Sequence, residues 1–248
     1  MESVFSRMGA KILEHRPRFL PWFMFSRKSK VHFEDPLRLL PWMVTRLYSA
    51  WVRLIYPFES VGRNVEIHYR FDLRRIEAHL VRLGDSVLID EGTWIQIARD
   101  LSQSGEPAVI IESGCELGRG CHIHAKNRVH IERDVMISNS VLIMDCNHAY
   151  EDLSLPIARQ GYTEGGTIRI GQGSWIGEGA AIVCSKGELV LGRNCVVAAN
   201  AVVSRSFPPH SIIIGNPAAI IRRFDPEQNA WVIGAPRSKL GPDTTRLA

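Results

Sequence analysis

From Leu83 to Val203 an Ile, Leu or Val returns at six-residue intervals, and a glycine or small polar residue tends to follow it. The clean runs are Ile111, Leu117, Ile123; Ile131, Ile137, Ile143; Ile170, Ile176, Ile182; and Leu191, Val197, Val203. A step of six fits neither an amphipathic helix of period 3.6 nor a strand that alternates every second residue. It fits a β-helix, in which each hexapeptide is one short side of a coil and stacked coils bury an aliphatic column. The period begins weakly at Val61-Gly62 and Ile67. It breaks between Ile97 and Val109, where Ser104-Gly105-Glu106-Pro107 reads as a short excursion. It breaks again from Met144 to Arg169, and a structureless stretch of that length inside a compact domain predicts a functional loop. After Val203, Ser204-Arg205-Ser206-Phe207-Pro208-Pro209 is expected to stop the coil. Gly215-Asn216-Pro217 is expected to turn into a short C-terminal helix, followed by a mobile tail rich in Pro, Thr and Gly.

Ahead of the coil the pattern changes. From about Arg38 to Ile55, Leu40, Val44, Leu47, Trp51 and Leu54 fall at helical spacing, while Arg38, Arg46 and Arg53 share another stripe. Pro57 ends the pattern. A basic face beside a Trp/Leu face suits an interfacial membrane helix. The same pattern suits a helix whose apolar face packs on the coil end or on a neighbouring subunit, capping an open edge. Residues 1–36 are basic, aromatic and Pro-interrupted, and carry no predicted structure. The expected organisation is a basic aromatic segment with an amphipathic helix over 1–60, a β-helix domain over 61–208 with its loop at 144–169, and a C-terminal turn, helix and tail over 209–248.

Composition separates the first segment from the rest. The net charge is +4 over 248 residues, yet residues 1–60 hold ten Lys/Arg against five Asp/Glu, or +5, so the remainder sums to −1. Eleven of the twenty aromatics also lie in those first 60 residues. The basic excess is too small and too local for a nucleic-acid surface. Five cysteines without a CxxC spacing read as buried free thiols of a reducing compartment, not as a disulfide frame. Glu2, Arg7, Lys11 and Glu14 make the N-terminus a poor signal peptide, and no run of roughly 18–20 uncharged apolar residues occurs. The expectation is a cytoplasmic protein, with residues 1–56 available for peripheral contact at the inner face of a membrane.

Three ordered segments carry a family resemblance over roughly residues 61–225. They are Met144-Asp145-Cys146-Asn147-His148-Ala149-Tyr150; Ile170-Gly171-Gln172-Gly173-Ser174-Trp175-Ile176-Gly177; and Pro208-Pro209-His210-Ser211-Ile212-Ile213-Ile214-Gly215-Asn216-Pro217-Ala218. In this order and register the chain resembles the hexapeptide-repeat O-acetyltransferases, closest to the galactoside, maltose, xenobiotic and polysaccharide enzymes. The resemblance implies a left-handed parallel β-helix, a homotrimer with active sites between subunits, acetyl-CoA as co-substrate, no required metal, and a saccharide acceptor. It places His148 as general base, since an imidazole can take the hydroxyl proton as the thioester carbonyl is attacked. It puts Asp145, Asn147 and Trp175 at the acceptor and the active-site wall. Asp145 would orient the ring or the acceptor, or cap a turn; Trp175 would stack on a sugar or the pantetheine arm, or pack between subunits. It assigns the backbone around Gly177 and Glu178 to the thioester oxyanion, and Ala199, Ser204, Arg205, Asn216, Pro217 and Arg222 to coenzyme A. The chain departs from the pattern where nine residues separate Ile182 from Leu191, so Ser185-Lys186-Gly187 is expected to bulge outward. It also carries Lys126, beside Asn127, close to where some relatives have a substrate-orienting Asn.

The implied activity is O-acetylation of a sugar hydroxyl in surface polysaccharide or lipopolysaccharide biosynthesis, by direct transfer and not through an acetyl-Cys146. Alternatives are N-acetylation of an amino sugar and a non-catalytic assembly or binding solenoid. A γ-type carbonic anhydrase would need three zinc-binding histidines, and His122 and His124 do not stand at the required spacing from His148.

Overall fold

The computed structural model describes residues 39–98 and 106–233. The expectations for residues 1–38, for 99–105 of the first excursion and for the tail beyond 233 lie outside the described residues.

Helix α1 (Leu39–Ile55) occupies the predicted span. Its small and polar side chains are the buried ones: Thr45, Ser49 and Val52. Ser49 Oγ accepts the Ile67 N–H at 2.8 Å and lies 2.9 Å from the Ile67 carbonyl and 2.8 Å from that of Thr45. The helix thus satisfies the first coil's edge with a hydroxyl, not with its apolar stripe. Leu47, Trp51 and Leu54 face outward, 69%, 50% and 82% exposed. The expectation that the apolar face packs on the coil end is therefore corrected, because the polar partner wanted by an open strand edge sits on the opposite stripe.

Six coils follow, each contributing three strands. They are β1 (Ser60–Val61), β2 (Glu66–Ile67), β3 (Asp72–Leu73); β4 (Val81–Leu83), β5 (Leu88–Ile89), β6 (Trp94–Ile97); and β7 (Val109–Ile111), β8 (Glu116–Leu117), β9 (His122–Ala125). Then come β10 (Arg128–Ile131), β11 (Met136–Ile137), β12 (Leu142–Met144); β13 (Gly165–Ile170), β14 (Trp175–Ile176), β15 (Ala181–Val183); and β16 (Lys186–Leu191), β17 (Val196–Val197), β18 (Val202–Val203). Each strand pairs with the strand three places on, always parallel, giving three sheets: A with β1, B with β2 and C with β3 at its edge. The predicted six-residue knobs stack in register. On sheet B the column runs Ile67, Ile89, Leu117, Ile137, Ile176, Val197 and Ile213. These side chains are almost wholly buried, and each contributes about 1.5–3 kcal/mol of hydrophobic stabilisation.

The step of six holds across only two of the three edges. Sheet A leads to B, and B to C, through turns of constant length that carry a positive-φ residue in every coil except at the first B–C turn. The A–B turns use Asn64, Ser86, Gly114, Asp134, Gly173, Asn194 and His210, and the B–C turns use Gly92, Gly120, Ser140, Gly179 and Asn200. Close stacking excludes side chains here: a Cβ on Gly171 would lie 2.5 Å from the Arg193 nitrogen. The C–A edge obeys no such rule. From Ile123 to Ile131 it spans eight positions, from Ile143 to Ile170 twenty-seven, and from Ile182 to Leu191 nine.

The upper end departs from expectation twice. The coil does not stop at Val203: Phe207 bridges Leu191 in parallel and is buried, and β19 (Ser211–Ile214) joins sheet B beside β17. The two prolines fall at a corner, where a fixed φ and a missing N–H are tolerated. The expected C-terminal helix is absent among the described residues. Instead β20 (Ala219–Asp225) and β21 (Ala230–Ile233) turn back antiparallel on β19 and extend sheet B.

Candidate active site

The long excursion leaves the C–A edge after β12, and its base is built by hydrogen bonds between its two arms. Ala149 N–H donates to Gly161 O at 3.0 Å, Thr163 N–H to Asn147 O at 2.8 Å, and Asn147 N–H to Thr163 Oγ1 at 3.1 Å. His148 and Tyr162 form the antiparallel bridge between the arms, with ring centroids 4.9 Å apart and planes 24° from parallel. His148 is exposed, so it meets solvent while Tyr162 fixes its plane. A 3-10 turn (Ile157–Arg159) and an Asp152 turn close the tip, where Gln160 Nε2 donates to the carbonyls of Asp152 and Leu155 at 2.8 and 2.9 Å. The excursion is thus an ordered ribbon and not the structureless stretch expected. No side chain from 149 to 161 is buried.

Neighbouring coils hold this ribbon. Asp145 is fully buried, and its carboxylate accepts the backbone N–H groups of Lys126, Asn127 and Arg128 at 2.6, 2.9 and 2.8 Å. Burial pushes its carboxyl above the usual carboxylate range against the pull of those three donors. Asp145 is a turn cap and not part of the acceptor wall, because its oxygens are spent inside the protein. Lys126 Nζ donates to Thr163 O and Asn127 Nδ2 to Glu164 O at 3.0 Å. Both residues therefore brace the ribbon where it returns. Gly165 and Gly166 make the return possible: a Cβ on Gly165 would lie 2.9 Å from Asp145 O, and one on Gly166 would lie 2.4 Å from Cys184 Sγ.

Ser185-Lys186-Gly187 does not bulge out. Lys186 and Gly187 open β16 and pair in register with Gly165 and Gly166, lengthening sheet A under the ribbon. Asn147 Nδ2 donates to Ser185 Oγ, so the extra residues tie the upper coil to the His148 arm. Sequence reasoning missed this bracing role. A nine-residue step at the next C–A edge after the long loop was its only signal.

All five cysteines are buried and free. Cys115, Cys121 and Cys195 donate from their corners to the carbonyls of Glu132, Ser138 and Pro208 in the next coil. Burial, with Asp145 alongside, pushes the Cys146 thiol up to about 11, leaving little thiolate at neutral pH.

The remaining candidates divide between two edges. Gly177 and Glu178, Ala199, and Asn216 with Pro217 lie at successive B–C corners, with Glu178, Ala199, Asn216 and Pro217 exposed. The Gly177 N–H donates to Val197 O at 2.7 Å, so the coil has claimed it and it is not an oxyanion donor. Ser204 and Arg205 are exposed at the C–A edge, the one that bears the His148 ribbon, and the Arg205 guanidinium lies 5.2 Å over the Phe207 ring. Arg222 is exposed on β20, opposite Ile212. The two edges flank sheet C. Trp175 stands apart on sheet B, 45% exposed, its Nε1–H donating to Ser138 Oγ at 2.9 Å. Sheet B lies across the coil from the C–A edge, so a single chain does not bring Trp175 and His148 to one face. Surface clefts lie beside Arg53, Arg63 and Asp85, and between Arg169, Arg193 and Phe207; His148 lines neither. Among the described residues no group of three or more His, Cys, Asp or Glu is placed to hold a metal ion.

The three-sheet parallel coil superposes on solved structures of acyltransferases. An N-acyltransferase from Bacillus cereus, AntD, superposes with a TM-score of 0.58 at 18% identity, over 71% of this chain and 88% of that one; it was solved as a mutant with dTDP-4-amino-4,6-dideoxyglucose and coenzyme A. A second AntD structure, with dTDP and coenzyme A, gives a TM-score of 0.55 at 19% identity over 69% and 87%. At such identity the likeness carries the fold alone. In sequence the chain is similar to a probable acetyltransferase of Mycobacterium tuberculosis, 28% identical over 176 residues, 71% of this chain and 52% of that protein. It is also similar to WbbJ of Escherichia coli, a candidate lipopolysaccharide biosynthesis O-acetyl transferase, 27% identical over 157 residues, 61% of this chain and 79% of that protein. The chain thus spans about half the length of the first relative. No protein-family profile matches it. The resemblance to acetyltransferases read from the three segments stands.

Proposed function

We propose that this chain is an acetyl-CoA-dependent sugar acetyltransferase with His148 as general base, forming an O-acetyl ester on a saccharide hydroxyl. The observation that carries the reading is the braced ribbon: the largest break in the coil exists to hold one exposed imidazole against Tyr162. In the reaction His148 takes the hydroxyl proton as the acceptor oxygen bonds to the thioester carbonyl carbon. The tetrahedral oxyanion then collapses, the carbon–sulfur bond breaks, and CoA leaves as a thiol after taking up a proton. Direct transfer is favoured over an acetyl-Cys146 intermediate by the raised thiol. Exposed Ala199 and Glu178 on one edge and Arg205 on the other suit the pantetheine and phosphate portions of the coenzyme.

A homotrimer of left-handed coils is part of this reading. The separation of Trp175 from His148 and the exposed apolar ribbon tip, with Leu153 98% exposed, both favour a site completed by a second copy. The outward stripe of α1 beside Arg46 and Arg53 favours peripheral attachment to an anionic membrane, where a lipid-linked or cell-surface saccharide would be met. No helix among the described residues is long and apolar enough to cross a membrane. Cosedimentation with anionic vesicles should be lost when Leu47 and Leu54 are changed to Ser; unchanged binding would remove this part.

A second reading, N-acetylation of an amino sugar, draws support from the N-acyltransferase neighbour. Products separate the two: an O-acetyl ester is released by mild alkali and an amide is not. The test of the central claim is His148→Ala, expected to lower labelled acetyl transfer by about 10²–10⁴-fold with an unchanged oligomer. Transfer at the wild-type rate would sink the mechanism.

A further inference from the structure

The outer face of sheet C is divided. Its upper coils present Ala181, Val183 and Val202, a smooth apolar surface, while its lower coils present Trp94, Gln96, His122 and His124. Neighbouring strands place these side chains in two rows, Asp72–Trp94–His122–Leu142 and Gln96–His124–Met144. Both imidazoles meet the Trp94 indole steeply. His122 lies 5.5 Å away at 81° and His124 4.9 Å away at 72°. They fix the indole plane and still leave Trp94 37% exposed.

We propose that Trp94, flanked by His122, His124 and Gln96, is a platform for an uncharged saccharide ring of the acceptor. This rests on the acetyltransferase reading and names the acceptor subsite within it. An aromatic plane covers the C–H face of a pyranose, while imidazole and amide groups donate to and accept from its hydroxyls. The cluster is suited to a neutral ligand. Burial and the neighbouring His122 hold the His124 imidazole below its ordinary value, so it presents one donor and one acceptor. No Lys or Arg points outward from β3, β6, β9 or β12, so a phosphate or carboxylate finds no cation on this face. The position also fits. Met144 lies beside His124 and four residues before His148, so the two histidine Cα atoms are at most about 19 Å apart by chain reach. An acceptor of a few linked rings bridges that distance and puts a hydroxyl at His148.

The probes are methyl hexopyranosides of gluco, galacto and manno configuration and their β-linked disaccharides, followed by saturation-transfer NMR on the full chain. Wild type and His148→Ala should both bind at least one of them. Trp94→Ala should weaken that binding at least tenfold, and Trp94→Phe, which keeps a plane, should weaken it less. In acetyl transfer Trp94→Ala should raise KM for the acceptor at least tenfold and leave KM for acetyl-CoA unchanged. Equal binding by Trp94→Ala, or no binding of any probe to wild type, overturns the platform. Loss of the oligomer in both Trp94 variants also overturns it, making the cluster a subunit contact. Absence of acetyl transfer by wild type to any saccharide that it binds would refute the acetyltransferase reading while leaving the sugar-binding result intact, so the two failures are distinguishable.

Discussion

The A–B and B–C edges repeat one turn from coil to coil, whereas the C–A edge is different in each. The regular edges are places where backbone lies on backbone. Gly171 sits over Gly192 and Arg193, and Gly177 over Ala198 and Ala199, too closely for a Cβ. One added residue there would shift every strand that follows out of its column. At the C–A edge chain can leave and re-enter without disturbing that register, provided it returns onto the next strand of sheet A. A solenoid thus concentrates its freedom to vary, and with it the His148 ribbon, on one edge.

The contrast can be attacked from both sides. The largest effect is expected from replacing residues 149–161 with Asn-Gly. Acetyl transfer should fall at least 10²-fold because His148 loses its fixed position, while the melting temperature moves only a few degrees, no buried side chain being removed. A collapse of the fold would mean that the ribbon supports the coil. Next, Ile176→Ala in the sheet B column should cost about 2–5 kcal/mol in urea unfolding. Leu153→Ala at the ribbon tip should stay within about 0.5 kcal/mol. Equal costs would erase the distinction between scaffold and edge. A smaller difference is expected between two glycines. Gly171→Ala forces a Cβ against backbone and should cost about 1–3 kcal/mol. Gly161→Ala meets nothing within 4 Å and should cost about 1 kcal/mol, from its positive φ alone.

The smallest effect concerns the thiols. At pH 8 the native protein should react slowly with a thiol reagent at all five cysteines, and Cys146→Ser should keep its activity. Burial raises Cys115 to about 12 and Cys121 and Cys146 to about 11 from a model-compound value of 9.0. Between those limits the folded chain holds protons that the unfolded chain has lost. Stability is therefore complete below pH 9 and should decline as pH rises toward 12, in a series of urea titrations. A stability that rises over this range would contradict the burial of these groups.

What the sequence revealed follows the same division. The period of six reports side chains that face inward, so Ile111, Leu117 and Ile123 and their equivalents were legible, as were helix α1 and the starting point of the His148 excursion. The C–A edge was not. The pairing of Lys186 and Gly187 with Gly165 and Gly166 depends on a partner a whole coil away, and no local pattern records it. Asp145 looked like a site carboxylate beside His148, yet its role is set by three N–H donors from residues 126–128. The terminal strands were hidden because Gly215-Asn216-Pro217 resembles the start of a new element, while the choice of strand over helix was made by the open edge of β19. The exposure of Glu178, Ala199 and Asn216 at corners was legible, whereas what the backbone had already claimed, such as the Gly177 N–H, was not.

The ends of the coil have a consequence for the protein in a crowded solution. A stack of parallel strands is in principle endless, since each coil is a template for another, and a bare end would accept the end of any identical molecule. At the lower end Ser49 occupies both backbone groups of Ile67, and at the upper end β20 folds back antiparallel on β19, takes up its open edge and carries β21 outside it. An antiparallel partner on β19 replaces the next parallel coil that this edge would otherwise accept. These two small devices keep a fold built by repetition from propagating into a fibre.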